Sequence, residues 1–182
     1  NIVDAAENRE PKRLPLYDHK LEHDLIAKII GEPDFPAYFC DDEKKLDIFF
    51  KKYDRFFFDH GYDTVTYEAC VTRILPHGGA LAHPQPGWID SREKFEAYPW
   101  EDVKRIYIDK FDKYFTAMAN NLPAGMKAIG GVGNGIFEIV QDLCGYENLC
   151  ILGFDDPELY ADMFRKVGDL LYSIWEWFLA RH

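Results

Sequence analysis

Hydrophobic and polar positions along this chain repeat with two periods. The helical period is clearest between Asp41 and Gly61, where Leu46, Phe49, Phe50, Tyr53, Phe56 and Phe57 fall on one face. Asp41 or Asp42 caps this helix, acids crowd its first turn, and Gly61 ends it. A second helix is predicted over Lys20–Ile30, with Leu21, Leu25 and Ile29 beside Ile26 and Ile30 on its stripe and Gly31 as the stop. A short helix follows Asp90 or Ser91 and stops at Pro99. A longer one over 105–122 is amphipathic through Ile106, Phe111, Tyr114, Phe115 and Met118. Phe137–Cys144 reads as helix. The last helix opens at "DDPEL", with Asp155 or Asp156 as cap and Pro157 in the first turn.

Three segments break this period and read as strands. Arg13–His19, "RLPLYDH", alternates and forms a short first strand, with Pro15 near its start. Tyr62–Cys70 is rich in β-branched and aromatic residues, and Met126–Val132 is an apolar run that ends in glycines. Strands separated by long helical connections predict an α/β fold with a parallel sheet. Three strands are few for so much helix. The chain also stops after a helix, where a fourth strand is due.

Charge and composition narrow the partners. The 182 residues are 47% hydrophobic and 16% aromatic, enough for one domain with a real core. A net charge of −11 repels nucleic acids and anionic membranes, so neither is an expected partner. No apolar run reaches membrane-spanning length. The four cysteines form no C-x-x-C pair and read as reduced, which fits a cytoplasmic protein.

Several stretches carry candidate chemistry. "GGVGNG" matches neither G-x-G-x-x-G nor the G-K-[ST] phosphate loop, so its glycines are read as backbone geometry at a strand end. "HKLEH" fits H-x-x-E-H, with His19 and His23 as metal ligands and Glu22 as base. His19 is placed at the strand end rather than in the helix, and no third ligand follows. The other reading puts these residues at the mouth of a strand, where α/β enzymes keep their chemistry. Glu68, Arg73, His77 and His83 follow the second strand, and Arg73 suits a carboxylate. The bland reading of His77 and His83 is an exposed loop.

From Gly133 on, "GNGIFEIVQDLCGYENLCILGFDDPELYADMF" resembles the uroporphyrinogen decarboxylase superfamily. "GYDTVTYEA", "YPWED" and "RLPLYDH" resemble its second strand, the connection after it and its opening strand. The resemblance runs from about Arg9 to the end. It implies a TIM (β/α)₈ barrel of which residues 1–182 form the N-terminal part, with the first three strands and their helices. Self-association, or pairing with a missing C-terminal half, is then expected at the open sheet edge. The sequence departs from the decarboxylases in two places. "YDHKLEH" lacks the arginines that hold substrate carboxylates, and Gln141 stands where they carry tyrosine, four residues before Gly145. The resemblance therefore implies the corrinoid-linked, methyltransferase-like branch. Its small-molecule substrate or corrinoid protein would be the partner, and zinc is the family's Lewis acid. The zinc ligands of that branch come from later strands, so this chain alone is expected to be inactive. Asn134 and Gln141 join His19, His23, Glu68 and Arg73 as residues of the cleft. Tetrapyrrole decarboxylation and a non-catalytic scaffold barrel are the alternatives.

Overall fold

A computed structural model describes residues 1–83 and 85–182. Pro84, inside the predicted Pro/Gly/His loop, lies outside the described residues. The protein is a mixed α/β structure, 60% helical, with a two-stranded parallel sheet. The strands are β1 (Thr64–Cys70) and β2 (Lys127–Gly133). Between them lie α4 (Arg92–Ala97) and α5 (Trp100–Asn121), the helical crossover that a parallel pair requires. Among the described residues no helix is long and apolar enough to cross a membrane.

The chain divides into two compact units. One holds residues 1–67, 112–130 and 182; the other holds 68–111 and 131–181. β1, α5 and β2 each run through both.

The first unit contains α1 (Ile2–Ala6), α2 (His23–Ile30) and α3 (Glu43–Asp59). Asp42 caps α3, its carboxylate accepting from the N–H of Lys44 and Lys45, both at 3.0 Å. The predicted face of α3 is the buried one. Its rings build an aromatic core: Phe35 stacks on Phe49 at 4.7 Å, Phe49 on Tyr53 at 5.3 Å, and Tyr67 on Tyr114 at 6.0 Å. The Tyr53 hydroxyl donates to Thr66 O, 3.1 Å, tying α3 to β1.

Arg13–His19 corrects the sequence reading, because it is irregular backbone rather than a third strand. It runs beside β1 with side chains in place of a ladder. Leu16 N donates to the Asp63 carboxylate, 3.0 Å, and Thr66 Oγ1 donates to Asp18 O, 2.9 Å. Asp63 N does reach Leu16 O at 3.2 Å. Pro15 brings no N–H to extend that contact into a ladder. The face of α2 also differs from the expectation. Ile26 and Ala27 are buried, whereas Leu25 and Ile29 stay 46% and 53% exposed.

The second unit contains α4, α6 (Ile136–Cys144), α7 (Tyr146–Asp155) and α8 (Pro157–Arg181). Asp156 caps α8, accepting from Leu159 N at 2.8 Å. α8 packs along α6 and α7 and buries Leu159, Met163, Val167 and Ile174. Tyr107 is fully buried, and its hydroxyl donates to Ala69 O at 2.9 Å.

Candidate functional site

The C-terminal ends of β1 and β2 meet in the second unit. Gly133 lies so close to β1 that a Cβ there would come within 2.9 Å of Cys70 Sγ. Gly131, at φ +122°, would press a Cβ to 2.8 Å from the Phe178 ring of α8. These glycines are set by close packing and backbone conformation. Asn134 follows in the left-handed region, at φ +73°. Its Oδ1 accepts from both Thr72 N, 3.1 Å, and Thr72 Oγ1, 2.8 Å, so one side chain stitches the two strand ends together. Arg73 is exposed on the turn after β1, its guanidinium 5.6 Å from the centre of the Phe111 ring. Glu68 is exposed near the end of β1. Glu68, Arg73 and Asn134 thus lie on the closing residues of β1 and β2 and the turns that follow. Gln141 is half-buried on α6, and its carbonyl accepts from Gly145 N at 2.8 Å to close the helix.

His19 and His23 belong to the first unit. His19 is exposed before α2, with Nδ1 3.2 Å from Tyr17 Oη. His23 is the first residue of α2, and its ring lies among aromatic rings: 4.8 Å from Phe49, 4.9 Å from Phe39 and 6.1 Å from Tyr53. Burial there penalises the imidazolium and lowers its pKa. Glu22 is exposed and pairs with Lys20 at 3.2 Å. Among the described residues no three His, Cys, Asp or Glu side chains form a group that could hold a metal ion. The His19, Glu22 and His23 set does not fit zinc.

Sequence reading passed over Asp142, the neighbour of Gln141. It is buried on α6, Oδ2 accepting from Gly79 N, 3.0 Å, and Oδ1 from Leu81 N, 2.9 Å. Ile89 N donates to Leu143 O, 2.9 Å, and Asn148 Nδ2 donates to Ile89 O, 3.1 Å. These bonds bind both ends of the loop after β1 to α6 and α7. A Cβ on Gly78 would collide with the Asp142 carboxylate, and one on Gly87 with the Cys144 backbone. His77 and His83 are both exposed on this loop, as the sequence reading allowed. The His77 ring stacks on Trp88 at 4.8 Å, and His83 N donates to Gly79 O at 3.1 Å. The available signal was a charged residue on an otherwise apolar face, among Ile139, Val140 and Leu143.

Between this loop and α7 lies a cavity of about 450 Å³, lined by Gln85, Pro86, Cys144, Tyr146, Asn148 and Ile151 among others. Its size suits a small molecule. Cys144 is fully buried, and that burial pushes its thiol up to about 12.

No protein-family model, curated protein or solved structure matches this chain.

Proposed function

We propose that this chain is part of a (β/α)₈ barrel of the uroporphyrinogen decarboxylase superfamily, from its corrinoid-linked, methyltransferase-like branch. One observation supports the reading above the others. Two parallel strands end together, sealed by glycines and by the Asn134–Thr72 bonds. Enzymes built on such sheets bind substrate at the C-terminal ends of their strands. In this reading Arg73 offers a guanidinium to an anionic group of a small substrate. Glu68 offers a carboxylate at the end of β1, and Asn134 holds the ends in register as a positioning residue. A corrinoid held by a partner protein would supply the methyl group, and a small substrate at the strand ends would accept it. Gln141 in the place of a tyrosine favours this branch over the decarboxylases.

The test is a titration of the product of the full reading frame that encodes this chain. Methylcobalamin and a uroporphyrinogen are added separately, and binding is followed by absorbance and calorimetry. Saturable methylcobalamin binding, with methyl transfer to an added thiol acceptor reduced by Arg73→Ala, is the expected result. Porphyrinogen binding alone would move the assignment to decarboxylation. Binding of neither would overturn both enzymatic readings and leave a scaffold barrel.

A further inference from the structure

Two surfaces away from the strand ends leave apolar side chains in solvent and differ in charge. One lies on the second unit. Between Lys127 and Arg165 the chain carries no Lys, Arg or His, and every charged side chain there is Asp or Glu. On this acidic stretch α6 and α7 leave large apolar side chains in solvent. Phe154 is 88% exposed, Tyr146 62%, Ile151 55% and Phe137 51%. Phe137, Tyr146, Leu149 and Phe154 border a shallow groove beside Tyr160. At the size of aromatic side chains, this face offers roughly 500 Å² of apolar surface, or about 1,000 Å² over two partners. That is the lower bound of a specific interface, and soluble proteins seldom leave such a patch without a role.

The other surface lies on the first unit. A groove of about 500 Å³ runs between the end of α2 and the outer face of α3. Its apolar residues are Ile30, Ile48 and Phe56, and its rim carries Lys51, Lys52 and Arg55. Glu32 pairs with Lys52 and Asp59 with Arg55, both at 2.6 Å. Lys51 is left in excess, which makes the groove a cationic spot on a chain of net charge −11.

We propose that the apolar, acid-rimmed face of α6 and α7 on one copy of this chain docks into the α2/α3 groove of a second copy, with Phe154 as the anchor. Each partner then presents a different surface, so the contact is head-to-tail rather than two-fold. An exposed aromatic entering an apolar groove supplies the affinity, and the carboxylate rim against Lys51 sets orientation. The proposal rests on surface chemistry alone and does not depend on the catalytic reading above.

A head-to-tail contact has a signature that a two-fold contact lacks. Phe154→Asp removes the anchor and leaves the groove. Ile48→Asp with Lys51→Glu spoils the groove and leaves the face. All three positions are exposed, and near-UV circular dichroism checks that each variant is folded. In sedimentation velocity the wild type should show concentration-dependent association. Each variant alone should lose at least about tenfold in affinity. An equimolar mixture of the two variants should recover a dimer that stops at two copies, because one intact face meets one intact groove. A wild type that stays monomeric at high concentration would overturn the proposal. So would variants that associate like the wild type, or a mixture that fails to recover the dimer.

Discussion

Asp54 and Asn134 are polar residues held against their ordinary preferences, and each makes a measurable claim. Asp54 is fully buried on α3, and neither carboxylate oxygen has a hydrogen-bond partner. Burial raises its pKa from 3.8 to about 8, so the folded chain keeps a proton that the unfolded chain releases near pH 4. Its contribution to stability is complete below about pH 4 and is lost as pH rises through about 8. The slope approaches about 1.4 kcal/mol per pH unit. His23 acts in the opposite sense, because its lowered pKa makes folding more favourable as pH rises through the ordinary imidazole range. The informative quantity is therefore the difference between wild type and Asp54→Asn in urea unfolding. The margin of the variant over the wild type should grow by at least about 1 kcal/mol between pH 5 and pH 8. A margin that stays constant from pH 5 to pH 8 would show that Asp54 ionises freely. At Asn134, substitution by Gly should cost about 1 kcal/mol for the bonds lost to Thr72. Substitution by Val should cost about 2 kcal/mol or more, since a β-branched residue is strained at φ +73°. Thermal unfolding of the two variants checks the order.

Elements were legible where one physical signal dominated. The face of α3 follows directly from apolar spacing, and carboxylates ahead of each helix narrow the caps to Asp41 or Asp42 and Asp155 or Asp156, of which the folded chain uses Asp42 and Asp156. α2 was not settled by spacing, since two adjacent stripes compete in "LEHDLIAKII". Packing against the turn Phe35–Tyr38 and against α3 chose Ile26 over Leu25 and Ile29. α7 was missed because "YENLCILGFD" is apolar nearly all round and buries only Leu149 and Leu152, so it has no clear stripe. Arg13–His19 has strand-like residues, but long-range bonds to Asp63 and Thr66 decide its backbone, and these cannot be read from local pattern. The candidate site was half legible. Asn134 was picked out through the family resemblance, whereas its partner Thr72 and the loop anchor Asp142 depend on contacts across the fold. Asp142→Ala should lower stability by about 2–4 kcal/mol, since two N–H groups lose a charged acceptor. Hydrogen exchange at Gly79 and Leu81 should accelerate with it. Unchanged exchange at both amides would mean that the loop holds itself.

Charge is the property of the whole molecule that most affects its behaviour. With 32 Asp+Glu against 21 Lys+Arg the chain repels itself at low ionic strength. Raising salt from very low to physiological levels should therefore raise the melting temperature, by about 2–4 °C if screening adds about 1 kcal/mol. A fall would mean that the surface ion pairs outweigh the net repulsion. The uneven placement of that charge has a further use. Trypsin cuts only after Lys and Arg, so one long peptide, residues 128–165, spans the end of β2 together with α6 and α7. It carries both Cys144, which is buried, and Cys150, which is exposed. Pulse alkylation of the folded protein will label Cys150 at once and Cys144 only when α6 opens. The mass of a single fragment, with its own fast thiol as clock, then reports how often the helix behind the strand ends breathes.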